Sequence, residues 1–296
     1  MAEMNWKELE ARTTYIRELF AEAKVPMNPA EGLARSLAEA DALARGEKLP
    51  GDPSPEVLAA IGHDAHVIWA LADNLKACVA GGLNITPHLK QITTGTTDYG
   101  TPAAGNEAKK IYFKDFEFEL FLASAMLRAQ LKVQLADPPN DPRGDLIVDS
   151  VWVEVKHPNS LKQLMKLAAA FHGSLAKEGS HGVFAAGIED AFELGAQPAD
   201  PSHKDYAEWL ERKRDAMEKF GREFIHGVAK FDRILAVVQT STAVEWYDGS
   251  TRLRRLSNSL IFDDGRCRDP AVNATAQKIA EVFNPKPRRF SDVPKP

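Results

Sequence analysis

The chain has 296 residues, 44% of them apolar, with 37 Lys and Arg against 42 Asp and Glu, a formal net charge of −5, and two cysteines. That is enough for a substantial buried core in one large or two smaller domains. It excludes a surface basic enough to bind nucleic acid over a whole face, a disulfide framework on Cys78 and Cys267, and a membrane-spanning helix, since no apolar run approaches the ~18 residues needed. The opening Met1-Ala2-Glu3-Met4-Asn5-Trp6 has neither the basic nor the apolar region of a signal peptide, so a cytoplasmic setting is expected.

The first hundred residues read as helical, over 6–23, 30–45 and 55–79, with Pro50-Gly51-Asp52-Pro53-Ser54-Pro55 separating the last two. An all-helical module over 1–100 is expected, suited to binding a protein partner, contacting nucleic acid or forming a homodimer. His63-Asp64-Ala65-His66 suggests a metal site, but an HD-type phosphohydrolase needs a further histidine upstream and none precedes His63. Packing or surface placement is the expected role of both histidines. The Thr- and Gly-rich stretch 93–100 lacks the Gly-Lys-Ser/Thr ending of a phosphate-binding loop.

From 113 to 131, Phe116, Leu120, Ala123, Leu127 and Leu131 form a stripe of period 3.6, widened by Phe118, Phe121, Leu122 and Met126, which predicts a buried helix. Glu117 and Glu119 stand on the two edges of that stripe, and either can point toward a neighbouring sheet. Two apolar runs follow, 146–148 and 151–155, around Asp149-Ser150, residues that tolerate tight turns. A hairpin pairing Val148 with Val151 sets Ile147 against Trp152, Leu146 against Val153 and Asp145 against Glu154. Asp145, Ile147, Trp152, Glu154 and Lys156 then share one face, and Leu146, Val148, Val151, Val153 and Val155 make the other wholly apolar.

Two acids facing each other across a hairpin repel unless something offsets their charge. A hard divalent cation does so, held by one or two carboxylates, waters and phosphate oxygens. Lys156, roughly 6.6 Å along the strand from Glu154, is placed to hold an attacking water or to offset charge on a phosphoryl group. Glu-x-Lys also occurs at Glu22, Glu107 and Glu211, in stretches that read as helix or loop with no second acid placed opposite.

After Lys156 and His157, Pro158 stops the strand, and Asn159 or Ser160 can cap a helix over 161–177. His157 points to the opposite face, with a secondary role at most. Strands are predicted over 182–188 and 230–239, and the stretch 208–233, rich in both signs, reads as a long exposed helix. Local basic clusters occur at Arg252, Arg254 and Arg255 and at Lys286, Arg288 and Arg289. The tail 284–296, with four prolines, is expected to be extended and poorly packed.

Phe116-Glu117-Phe118-Glu119-Leu120, Leu127-Arg128-Ala129, Gly144-Asp145 and Val153-Glu154-Val155-Lys156 together resemble the core of the PD-(D/E)XK nuclease superfamily, over about a quarter of the chain. Gly144 stands where the family name records proline, and Leu131 where many relatives have a turn glycine. The resemblance implies an α/β fold: a restriction-endonuclease-like α/β/α core with a central mixed sheet over 101–283, preceded by the helical module. It implies Mg²⁺ or Mn²⁺ on Asp145, Glu154 and the Val155 carbonyl, with Glu119 (Glu117 as alternate) completing the acidic cluster. Lys156 becomes the catalytic lysine, and Gln163 resembles the polar residue that some relatives direct at the metal-bound water or nucleic acid. The implied activity is metal-dependent hydrolysis of phosphodiesters, DNA rather than RNA, by an endonuclease in prokaryotic defence, restriction or repair. The alternative is a non-catalytic or partner-activated subunit on the same scaffold. Arg252, Arg254 and Arg255 are the expected nucleic-acid contacts.

Overall fold

A computed structural model describes residues 6–46, 55–95, 97, 112–137, 141, 143–192, 204–247 and 250–293. Among these residues seven strands form one mixed sheet whose spatial order is the chain order: β1 (Val133–Leu135), β2 (Leu146–Val148), β3 (Val151–Lys156), β4 (Gly182–Gly187), β5 (Ile234–Tyr247), β6 (Ser250–Ile261) and β7 (Arg288–Arg289). β1, β2 and β3 are successively antiparallel, β3, β4 and β5 parallel, β6 antiparallel to β5, and β7 parallel to β6. β2 is therefore the single strand of the first five that runs against the others.

The β2–β3 register is the one the alternation predicts: Val148 with Val151, Ile147 with Trp152 and Leu146 with Val153. Asp149 makes the turn in the left-handed region, at φ 54°, which Asp tolerates better than most residues. The apolar face of Leu146, Val148, Val151, Val153 and Val155 packs into one core with Phe116, Leu120 and Ala123 of α5 (Tyr112–Arg128) and Ile279 and Ala280 of α8 (Pro270–Phe283). On the opposite face, Trp152, Phe184 and Ala186 meet Leu164, Phe171 and Leu175 of α6 (Leu161–Glu178) and Phe224 and Val228 of α7 (Lys204–Val228). The result is three layers, helices on both sides of a mixed sheet.

The N-terminal helices α1 (Trp6–Glu22), α2 (Gly32–Ala44) and α3 (Pro55–Ala80) form where the sequence predicts them, and a short fourth, α4 (Thr86–Ile92), was not predicted. They share their core with the α5 side of the sheet: Leu9, Ile16, Leu37, Ile68 and Leu71 are fully buried in it, and α3 packs on α5 and β6. Each such side chain contributes roughly 1.5–3 kcal/mol through burial, which fixes the helical module against the sheet. No helix among the described residues is long and apolar enough to cross a membrane.

Local chemistry closes the helices. Ser160 caps α6 by accepting the Gln163 N–H at 3.2 Å, while Asp269 caps α8 through the Ala271 N–H at 2.8 Å. α5 ends where the Gln130 N–H donates to the Leu127 carbonyl and the Leu131 N–H to the Met126 carbonyl, with Gln130 left-handed at φ 63°. Glycine is the usual residue at that place in such a terminator. Gln130→Gly is therefore expected to stabilise the fold by about 1 kcal/mol, read as a higher urea midpoint at unchanged slope.

Later segments differ from expectation as well. The strand predicted to end at 239 runs on to Tyr247 and forms a long hairpin with β6, register Ala236–Ile261 through Tyr247–Ser250. Thr240, Ser241 and Thr242 carry no apolar signal yet are buried, because their strand is completed by its partner and not by its own composition. The proline-rich tail, expected to pack poorly, adds β7 to the sheet edge and rests Phe290 on Phe262, ring centroids 5.2 Å apart.

Candidate active site

Beyond Leu146 the two hairpin strands part. Asp145 does not sit directly opposite Glu154, as the simple register predicts. Its N–H donates to the Val153 carbonyl at 2.9 Å, one residue out of step with the ladder. Gly144 permits this: its φ is +140°, and an added Cβ would lie 3.1 Å from the Val153 carbonyl oxygen. Past the end of β2 the Val155 N–H has no strand to bond, and the Asp145 carboxylate accepts it at 2.8 Å. N–H and C=O of a strand residue point to the same side, so the Val155 carbonyl opens toward the same space.

Lys156 closes the group. Its Nζ donates to Asp145 Oδ2 at 2.8 Å and lies 3.1 Å from Glu154 Oε1. Side-chain exposure rises from 0% at Asp145 through 12% at Glu154 to 23% at Lys156, so the site opens to solvent at the lysine end. Burial raises the Asp145 carboxyl above the usual range, opposed by Lys156 and the Val155 N–H. Burial and then the Asp145 charge push Glu154 up to about 7, also opposed by Lys156. For Lys156 burial acts downward, but the two carboxylates outweigh it and hold the ammonium firmly protonated. Asp145 Oδ1 is buried and has no hydrogen-bond partner among the described residues.

Of the two helix acids, Glu119 faces this group. It lies within electrostatic reach of Asp145, Lys156 and Glu154, and its Oε2 is 2.9 Å from Nε2 of His88 on α4. Burial, with Asp145 adding, raises the Glu119 carboxyl well above its usual range, and burial lowers His88 to about 4. Both shifts favour the uncharged form of the group. Glu117 points elsewhere, to Asn74 on α3 and to an ion pair with Arg255 on β6.

A hard cation suits this donor set: two convergent carboxylates, a carbonyl aimed the same way and a buried carboxylate oxygen without a donor. Among the described residues no three or more His, Cys, Asp or Glu side chains form a group able to hold a metal ion. The direct ligands would therefore be Asp145, Glu154 and the Val155 carbonyl, completed by water and substrate oxygens.

Beside the carboxylates lies a second buried cluster that the sequence pattern did not single out. His157 Nε2 is 3.0 Å from Glu189 Oε1, and its Nδ1 is 3.6 Å from Asp115 on α5. Glu189 also accepts the Thr242 N–H at 3.4 Å, and the next residue, Asp190, takes both contacts from Lys114 Nζ at 2.9 and 3.2 Å. Burial alone would lower His157; the Glu189 carboxylate and Asp115 outweigh it and lift it to about 9. Gly187 makes room, because an added Cβ would fall on the His157 ring. The available signals were Glu189-Asp190 directly after an apolar strand and Lys114-Asp115 at the start of a buried helix, neither meaningful until the fold brings them together.

Gln163 is engaged in the cap of α6, its Oε1 accepting the Asn159 N–H at 2.8 Å. Arg255 turns inward, ion-paired to Glu117 and stacked 4.2 Å over the Phe121 ring. Arg252 and Arg254 stand on β6, with side chains outside the described residues. The structure thus brings together Asp145, Glu154, Val155 and Lys156, with Glu119 behind them, and leaves Gln163, Glu117 and Arg255 on other duties. Compared with family models, with curated proteins and with solved structures, the chain finds no match.

Proposed function

We propose that this chain is a metal-dependent nuclease of the PD-(D/E)XK type, cutting DNA internally in a cytoplasmic setting of prokaryotic defence, restriction or repair. The observation that carries the reading is the Lys156 ammonium seated between Asp145 and Glu154 at the parted end of a hairpin. The element order supports it: a helix bearing Glu119, a three-strand meander bearing the two acids and the lysine, a capped helix, then a strand parallel to the third. That order is the one a restriction-endonuclease-like core requires.

Asp145, Glu154 and the Val155 carbonyl would hold Mg²⁺ or Mn²⁺, whose chemistry is to lower the pKa of bound water and offset phosphoryl charge. Asp145 does two jobs, fixing the Val155 backbone and anchoring Lys156. Lys156, at the open end, is placed to orient the attacking water and to stabilise negative charge developing on the phosphoryl oxygens. Glu119 completes the acidic cluster from α5, positioned by His88.

The test is cleavage of single- and double-stranded DNA and of RNA with Mg²⁺ or Mn²⁺ and with EDTA. Cutting of DNA abolished by EDTA is expected. The net charge of −5 and a lysine that already neutralises both acids favour a second reading, a partner-activated or non-catalytic subunit, and absence of cutting on every substrate selects it.

Metal binding has its own readout. A ligand at a hundredfold excess over Kd stabilises the fold by about 2.7 kcal/mol, which in a chain of this size shifts Tm by several degrees. Because Glu154 must ionise to bind and its carboxyl sits at about 7, the Mg²⁺-induced shift is expected to be larger at pH 8 than at pH 5.5. Equal shifts at both values, or none at pH 8, would count against a cation on these carboxylates.

A further inference from the structure

Of residues 113–120 on α5, Asp115 alone escapes burial, its side chain 37% exposed where that of Glu119 is 3%. It stands one turn before Glu119, and residues four apart on a helix share a face. That face is the one Glu119 turns toward the carboxylates, and Asp115 lies within electrostatic reach of both Asp145 and Glu119. Among the described residues no hydrogen bond engages its carboxylate.

The buried cluster beside the site holds Asp115 in place. Lys114, the residue before it, is tied to Asp190 at 2.9 and 3.2 Å, and the Phe113 N–H donates to the Thr94 carbonyl at 3.0 Å, so the first turn of α5 is anchored. His157, fixed by Glu189 at 3.0 Å and set edge-on to the Phe118 ring, turns its Nδ1 to Asp115 Oδ1 at 3.6 Å. That nitrogen is buried and has no hydrogen-bond partner among the described residues. An ordinary acid at a helix start acts on the helix dipole alone. Asp115 is in addition aimed by a buried imidazole and open to solvent beside two carboxylates.

We infer that Asp115 serves the divalent ion of the proposed site from outside its coordination sphere, accepting hydrogen bonds from the ion's water, with His157 and Glu189 as positioning residues behind it. This rests on the reading of Asp145 and Glu154 as holders of a cation. Water has to intervene, because among the described residues no three acids or imidazoles are close enough to ligate one ion directly. Mg²⁺ keeps several of its waters when one or two carboxylates bind it, and groups that orient a metal's outer shell are typically worth about 10–100-fold in affinity. Glu119, nearly sealed and committed to His88, leaves that task to the acid one turn away.

Isothermal titration of Mn²⁺ into the full chain tests this without reference to cleavage. Asp115→Asn is expected to weaken binding about tenfold or more. Asp115→Glu keeps the charge at the helix start but moves the carboxylate by one methylene, so its affinity should fall between those of Asp115→Asn and the wild type. It also carries the test if Asp115→Asn does not fold. A charge acting only at long range would leave Asp115→Glu at the wild-type affinity, which overturns the inference. A role confined to the helix dipole or to His157 would lower the urea midpoint in EDTA and leave both variants at the wild-type affinity, which overturns the inference and leaves the metal site standing. A wild type that binds no Mn²⁺ overturns the inference and the metal site together.

Discussion

Replacing Lys156 with alanine is expected to lower metal-dependent DNA cleavage by a factor of about 10²–10³, the usual loss when one preorganised charge-stabilising donor is removed. Glu154→Gln and Asp145→Asn should be at least as damaging, since each removes a carboxylate proposed to hold the ion, and Asp145 also fixes Lys156 and the Val155 N–H. A Lys156→Ala variant that cuts at the wild-type rate would remove the hairpin from consideration as the active centre. Stability provides a second, independent readout. Without lysine, Asp145 and Glu154 share a buried space with no cation, and breaking such a group typically costs about 3–5 kcal/mol. In EDTA the alanine variant should unfold at lower urea, and Mg²⁺ should restore part of the loss by taking the lysine's place between the acids.

The same group gives Glu154 a pH signature. Its folded value of about 7 lies above its ordinary 4.5, so its contribution is fully present below pH 4.5 and is lost as pH rises through 7. Glu154→Gln cannot ionise and escapes that loss. Its stability relative to the wild type should improve between pH 5 and pH 8 by an amount on the order of 3 kcal/mol.

The second large effect is expected at His157. Glu189 and His157 are both buried, 3.0 Å apart, and His157→Ala leaves a carboxylate shut off from solvent, with backbone N–H groups and the nearby Lys114 charge as its remaining support among the described residues. A cost of about 3–5 kcal/mol follows, a large fraction of the 5–15 kcal/mol typical of a folded domain. The pH dependence identifies the cause. His157 is raised to about 9 in the fold, so its contribution is complete below its ordinary 6.5 and is lost as pH rises through 9. Glu189 is lowered, His157 overcoming the effect of burial, so its contribution is present above its ordinary 4.5 and is lost as pH falls through its folded value. The deficit of His157→Ala should therefore be widest near pH 6 and shrink toward pH 9.5. A deficit that is the same at both would mean lost packing and not a lost ion pair. Gly187→Ala drives a methyl into the same ring and should lose comparable stability, and the double variant should fall well short of the sum because both changes break one contact.

Period and punctuation in the sequence were enough to place α1, α2, α3, α5, α6, the β2–β3 hairpin with its register, and β4, because each carries its own apolar stripe, cap or turn residue. The candidate site was legible for a related reason: a hairpin is local, so Asp145, Glu154 and Lys156 come together within a dozen residues of chain and their spacing fixes their face. Tertiary structure alone decided the rest. Which of Glu117 and Glu119 faces the acids depends on how α5 rotates between α3, α4 and the sheet, and it sends Glu117 to Arg255 and Glu119 to His88. That same packing turned Arg255, one of the three arginines of an expected basic patch, inward. The His157–Glu189 pair joins residues that follow β3 and β4, strands whose pairing no local period announces. Local spacing encodes what one element does; a buried charge and its partner, far apart in the chain, meet only when the layers close.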